Sequence, residues 1–178
     1  MVRAYIAIGS NIEPDANVRR AIQSLAQQVQ LVGISKVYRT VALNRPEQEP
    51  YYNCVVAIET GLPPLELKRG LLRAIENSLG RVRSADKFAP RTIDLDLIVY
   101  GDGVLDEAGL KLPDPEIMER PFLAIPLFEL APDLVLAGSG QPIAKIAAGM
   151  AQDGMQPLHD YARSLLEALG QGAAGYRA

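Results

Sequence analysis

A single cysteine, a single histidine and only ten aromatic side chains (seven Tyr, three Phe) set the first limits on this 178-residue chain. With Cys54 alone, no intramolecular disulfide can form, and a reducing, cytoplasmic compartment is the expected one. With His159 alone, no multi-histidine metal cluster is possible. The aromatics are not patterned for base stacking on adjacent strands, and the net charge of −3 argues against general binding to nucleic acid or anionic membranes. The longest apolar region, 121–138, is broken by Pro126, Glu129, Pro132 and Asp133 and cannot be a spanning helix. The start, Met1-Val2-Arg3-Ala4-Tyr5, runs straight into a strand pattern without a signal-peptide apolar stretch, so a soluble chain is expected.

What is present suits a globular domain. Hydrophobic residues make up 48% and charged residues 22%, in a length that fills one core and falls short of two. Residues 3–9 read as a buried strand ending at Gly9-Ser10-Asn11, with Asn11 or Asp15 as the expected cap of the next helix. Val18, Ala21, Ile22, Leu25 and Val29 form one core-facing stripe along that helix. Strands are expected over 31–39 and 52–60, joined by a polar segment, 40–50, of a length that often carries function. Pro63-Pro64 opens a second helix with the stripe Leu67, Leu71, Leu72, Ile75 and Leu79, leaving Lys68, Arg69 and Arg73 on the other faces and Gly80 at the end. A basic loop, 81–91, then leads to a strand at 92–100.

This β-α-β-β-α-β order predicts an α+β fold with a ferredoxin-like core: an antiparallel sheet with helices, in three layers α/β/α. Beyond the rigid turn Pro113-Asp114-Pro115, residues 117–130 look helical in part, with interruptions near Pro121 and Pro126. Two amphipathic patterns follow, 143–150 and 157–169, the second with Leu158, Tyr161, Leu165, Leu166 and Leu169, and the end from Gly170 is expected to fray. The expected organisation is a core over 1–136 and a C-terminal helical extension over 137–178, packed on or following the same domain.

The most informative stretch runs from Arg81 to Leu97. Four cations, Arg81, Arg83, Lys87 and Arg91, precede Asp94 and Asp96, with only Asp86 opposing them. On a strand, residues two apart face the same way, so the two aspartates share one face while Ile93, Leu95 and Leu97 turn to the core. Neighbouring carboxylates repel unless something positive sits between them. Magnesium ions holding a polyphosphate would serve, with arginines on the remaining phosphate charge, and this suggests phosphoryl-type transfer from a nucleotide. A D-x-D on a solvent face is also common as a plain surface feature. The clustering of cations ahead of this pair favours the functional reading.

The segment from Lys87 through Pro90-Arg91-Thr92-Ile93-Asp94-Leu95-Asp96-Leu97-Ile98 closely resembles the signature of the 6-hydroxymethyl-7,8-dihydropterin pyrophosphokinase family of folate biosynthesis. Further segments agree in the same order: Ala4 to Asn11, Ser35 to Thr40, Tyr51-Tyr52-Asn53, Ile75-Glu76 with Leu79 to Arg83, Arg120-Pro121-Phe122, and Pro126 to Pro132. The resemblance covers residues 4–136. It implies transfer of the pyrophosphoryl group of ATP to the pterin hydroxymethyl oxygen, with release of AMP. It also implies two magnesium ions on Asp94 and Asp96, Arg81 and Arg91 as catalytic cations, and ATP binding by Arg83, Arg120 and Glu76. On the pterin side it implies stacking on Tyr51 and Phe122, pairing of the ring edge with Asn53, and backbone or wall contacts from Thr40 and Leu43. A flat polar heterocycle does require an aromatic sandwich and in-plane hydrogen bonds, although both aromatics would also serve as ordinary core residues. The implied partners are small-molecule substrates, without nucleic acid or membrane, for a monomer or weak homodimer.

The chain departs from the family pattern in places. Asp114 stands where many members carry histidine, and ATP binding is expected to tolerate it because the side chain faces the ribose or solvent. The loop Thr40-Val41-Ala42-Leu43-Asn44 lacks the usual proline and glycine, and Asn44 is the residue best able to take a positive φ there. Phe88 stands where some members carry tryptophan. His159 is expected at the surface or in packing. Cys54 is expected to be buried and inert, yet close enough to a pterin pocket for alkylation to inhibit. Two other classes stay open on sequence alone: a ligand-sensing ferredoxin-like domain, which has no need of two metals, and a nucleic-acid binder, which the net acidity disfavours.

Overall fold

Strands and helices alternate through the first hundred residues: β1 (Val2–Ser10), α1 (Pro14–Gln28), β2 (Gln30–Ile34), β3 (Tyr38–Thr40), β4 (Tyr51–Thr60), a helix over 64–78, and β5 (Asp94–Tyr100). The helix over 64–78 consists of α2 (Pro64–Glu66), a π-helical turn (Leu67–Leu72) and α3 (Arg73–Ser78). Next come the hairpin of β6 (Leu105–Glu107) and β7 (Leu110–Leu112), a 3-10 turn (Pro115–Met118) and α4 (Pro121–Leu130). The chain then forms β8 (Val135–Leu136), β9 (Gln141–Pro142), α5 (Ile143–Ala148), β10 (Met155–Pro157) and α6 (His159–Ala168). This computed structural model describes residues 1–86 and 88–168; Lys87, Leu169 and the segment from Gly170 lie outside the described residues. No helix among the described residues is long and apolar enough to cross a membrane.

The result is a mixed α/β fold around an antiparallel sheet of order β10-β3-β4-β1-β5, with β2 also paired to β4. Alternation along β1 divides the core. Ala4, Ile6 and Ile8 pack with Val18, Ile22 and Leu25 of α1 and with Leu67 and Leu72. Tyr5 and Ala7 turn to the other side, against Leu123, Ala124 and Leu127 of α4 and Ile143 of α5. Each fully buried Leu or Ile contributes about 1.5–3 kcal/mol of transfer free energy.

Several expectations need correction. The strand over 31–39 is two strands, because Ser35 interrupts the ladder: its Oγ accepts from the Val55 N–H (2.9 Å) and donates to the Lys36 carbonyl (2.8 Å). Neither Asn11 nor Asp15 caps α1. Glu13 is the cap residue, at φ 43°, and makes no side-chain cap bond. Pro126 does not interrupt α4, which runs through it. A helix apolar on all sides is held by burial, and Leu123 to Leu127 are all buried. Asn44 does adopt a positive φ, 57°, and His159 is exposed.

The last elements close one edge of the sheet. β10 pairs with β3, setting Met155 opposite Thr40. In α6, Ala162 and Leu165 join the α1-side core, the Tyr161 hydroxyl donates to the Asp15 carbonyl (2.5 Å), and the Arg19 guanidinium lies 5.2 Å from the Tyr161 ring centre. Leu165→Ala is therefore expected to lower stability by about 2–4 kcal/mol in chemical denaturation; a change within error would show that α6 is not integral to the core. Burial pushes the Cys54 thiol up to about 12. Its folded value thus exceeds the unfolded value of about 8.5, so the associated stability is complete below that pH and is lost as pH climbs toward the folded value. Native protein should resist a thiol-specific reagent that labels the unfolded chain at once, and rapid native labelling would contradict this burial.

Candidate active site

Sheet register builds the centre of the site. Gly9 on β1 pairs with Asn53 on β4 to one side and with Asp94 on β5 to the other; two residues back, Ala7 pairs with Val55 and Asp96. A Cβ on Gly9 would stand 2.9 Å from Asn53 Oδ1 and 3.8 Å from the Tyr51 ring. Glycine is required here for close approach, leaving the Asn53 amide room to lie over β1. Asn53 Nδ2 donates to Thr40 Oγ1 (2.7 Å), which orients the amide.

The two aspartates are surrounded by cations. Arg91 makes an ion pair with Asp94, and Arg81 Nη2 stands 3.9 Å from the same carboxylate. Lys68 Nζ donates to Asp96 Oδ1 (2.5 Å) and to the Leu95 carbonyl (2.8 Å). Buried Glu76 accepts from the Leu95 N–H, between the aspartates, at 2.9 Å and from Arg83 Nη2 at 2.7 Å. Burial pushes the Glu76 carboxyl above its ordinary value; the Leu95 N–H pulls the other way, Asp94 pushes it further up, and Lys68 and Arg83 oppose that rise. Burial likewise raises the Tyr51 hydroxyl, against the nearby Arg91 and Arg81 charges.

These groups open on one cleft of about 760 Å³. Arg81, Arg83, Arg91, Asp94, Asp96 and Arg120 line it on the charged side, and Thr40, Leu43, Tyr51, Asn53 and Phe122 line the other. Glu76 alone of the expected residues is not in its wall; it supports β5 from behind. Arg81 and Arg120 each carry a buried Nε–H without a hydrogen-bond partner. The Glu116 carboxylate, 3.7 Å from Arg120 Nε, is too distant to satisfy it. Asp114 also lines the cleft, with Oδ1 accepting from the Glu116 N–H (2.8 Å). Burial raises its carboxyl, and the Asp96 charge adds to the shift. Asp114 thus sits in the wall, half-buried, and caps a 3-10 turn, a position open to the expected ribose-facing contact.

Three contributors were missed by sequence reading. Gly9 looked like a turn former only. Asn11 looked like a helix cap but clips two loops together, with Oδ1 accepting from the Arg91 N–H (2.7 Å) and Nδ2 donating to the Glu49 carbonyl (3.2 Å). Lys68 looked like an outer-face cation. Leucines at 67, 71 and 72 fit an α-helical stripe as well as the π-helical turn in which Leu67 and Leu72 are the fully buried pair, so the spacing gave no signal.

Among the described residues, no group of three or more His, Cys, Asp or Glu could hold a metal unaided. Two carboxylates on one face, already paired with cations, still suit magnesium, which is commonly held by one or two carboxylates together with substrate phosphates.

Comparison with known proteins agrees with this geometry. The profile of the family described as 7,8-dihydro-6-hydroxymethylpterin-pyrophosphokinase (HPPK) matches residues 5–132. The 2-amino-4-hydroxy-6-hydroxymethyldihydropteridine pyrophosphokinase of Haemophilus influenzae is 40% identical over 142 residues, covering 78% of this chain and 88% of that protein. The Pseudomonas aeruginosa protein of the same name is 36% identical over 159 residues, covering 88% of this chain and 96% of its own. Among solved structures, wild-type Plasmodium falciparum HPPK-DHPS with SDX-DHP superposes with a TM-score of 0.65 at 12% identity over 88% of this chain. The match spans 47% of that longer chain and speaks to the fold alone. With the profile and these relatives in agreement, the chain belongs to the 7,8-dihydro-6-hydroxymethylpterin-pyrophosphokinase family.

Proposed function

We propose that the chain transfers the pyrophosphoryl group of ATP to the hydroxymethyl oxygen of 6-hydroxymethyl-7,8-dihydropterin, releasing AMP, as a step of folate biosynthesis. The observation that carries this reading is the row Asn53–Gly9–Asp94 across three neighbouring strands. An amide suited to a heterocycle edge and a carboxylate suited to a metal–polyphosphate lie two strand spacings apart, about 10 Å, on one face. That span fits a pterin on one side and the phosphate chain on the other.

No protein nucleophile is needed. The substrate hydroxyl oxygen bonds to the β-phosphorus as the bond from that phosphorus to the α–β bridging oxygen breaks; AMP leaves with the electron pair, and the hydroxyl proton passes to solvent. The protein's contribution is positioning and charge neutralisation. Asp94 and Asp96 would hold two magnesium ions, which when bound neutralise the triphosphate and polarise the phosphorus under attack. Arg81 and Arg91 offset charge on the transferred phosphates, with Arg83 and Arg120 on the nucleotide and Glu76 bracing both Arg83 and β5. Tyr51 and Phe122 stack the pterin, Asn53 pairs with its edge, and Thr40 and Leu43 complete the wall. The unpartnered Nε–H groups of Arg81 and Arg120 support the phosphate side of this assignment.

The same reading extends to architecture and setting. The order β3-β4-β1-β5 supports a ferredoxin-like βαββαβ core with α/β/α layers over 1–136, and 137–178 as an extension of it. One buried cysteine suits a cytoplasmic protein, acting as a monomer or weak homodimer on small molecules.

Incubation with ATP, magnesium and the hydroxymethyl-dihydropterin should release AMP; none at any magnesium concentration would sink the proposal. Asp96→Ala should cut turnover by about a thousandfold while its circular dichroism matches wild type, whereas an unfolded variant would point to a purely structural aspartate. Gly9→Ala, which crowds Asn53, should raise the pterin KM about tenfold and leave the ATP KM within about threefold. Equal effects on both substrates would remove the pterin assignment of Asn53.

A further inference from the structure

Lys68 sits in the π-helical turn Leu67–Leu72, where the Arg73 N–H reaches back to the Lys68 carbonyl. The widened turn buries Leu67 and Leu72 and carries Lys68 to β5, which ends the sheet. Lys68 is not among the residues that line the cleft. Its ammonium is held at two points, the Leu95 carbonyl (2.8 Å) and Asp96 Oδ1 (2.5 Å), with the side chain 26% exposed. Lysine is common at a sheet edge, where its charge opposes pairing with another strand. This one is turned back onto a carboxylate that faces the cleft.

We propose that Lys68 is a positioning residue and tethered counter-ion for Asp96. It keeps the carboxylate oriented before nucleotide arrives, and it must release Oδ1 before a metal ion can take that oxygen. Metal entry is then a competition with an attached ammonium. The competition favours metal delivered together with polyphosphate over metal alone, because the phosphates supply the further ligands and charge that a lone ion lacks. This inference rests on the reading of Asp96 as a metal ligand and adds to it a built-in barrier against free divalent ions.

Manganese binding to the full chain without nucleotide, followed by the electron paramagnetic resonance signal of free Mn²⁺, tests it. Lys68→Met should bind Mn²⁺ about tenfold more tightly than wild type, Lys68→Arg should stay near wild type, and Asp96→Ala should lose binding in either background. Added magnesium should also raise the melting temperature of Lys68→Met more than that of wild type. If Lys68→Met does not fold, Lys68→Gln replaces it in the same titration. Equal Mn²⁺ affinity in wild type and the lysine variant, with binding lost in Asp96→Ala, would overturn the role of Lys68 and leave the metal reading standing. Undiminished binding in Asp96→Ala would overturn the metal reading itself.

Discussion

Mutual repulsion between Asp94 and Asp96, fixed on one face of β5, is the constraint to which the surrounding structure answers. A strand cannot rotate one of these side chains away without turning its neighbours out of the core, because Ile93, Leu95 and Leu97 are fully buried behind them. Relief has to come from outside the strand. It comes from Arg91 just upstream, from Arg81 at the exit of the helix and from Lys68 one helical segment earlier, while Glu76 anchors the intervening backbone N–H. Each cation compensates charge and also fixes a distance between two elements. The electrostatics of the site and its rigidity are therefore one arrangement seen from two sides, as in other preorganised sites for anionic substrates.

β1 has a complementary role. Being central, it sets the separation between the amide on β4 and the carboxylates on β5. Being glycine at position 9, it lets the amide lie where a methyl group would exclude it. The loops then depend on this floor: Asn11, the continuation of β1, joins the Glu49 carbonyl to the Arg91 N–H, so the loop before β4 and the loop before β5 share one buried side chain.

Much of this was legible in the sequence because burial imposes periodicity. The alternation along β1 and β5 and the stripe Val18, Ala21, Ile22, Leu25 name their elements directly. The charged motif was legible because cations and carboxylates were dense over a short stretch. What stayed hidden depended on partners remote in sequence. The Ser35 break needs Val55 to reveal it, the helical state of Pro126 needs the surrounding core, and the Glu13 cap rests on a backbone angle that no residue type at that position announces. Lys68 was hidden for a different reason: a stripe assumed to repeat at α-helical spacing assigns it to the wrong side.

The pairing of β10 with β3 has a consequence for the order in which the molecule is made. Thr40, in the wall of the cleft, gains its outer backbone neighbour from Met155, close to the end of the described chain. During synthesis that strand emerges after the rest of the sheet, and its pairing closes a loop spanning most of the sequence, a slow event by topology. A ribosome-bound chain can therefore assemble the charged part of the cleft, which draws on residues 68–120, before the wall at Thr40 has its last strand. The wall at Thr40 is then completed after the strand that carries Asp94 and Asp96 has found its place beside β1.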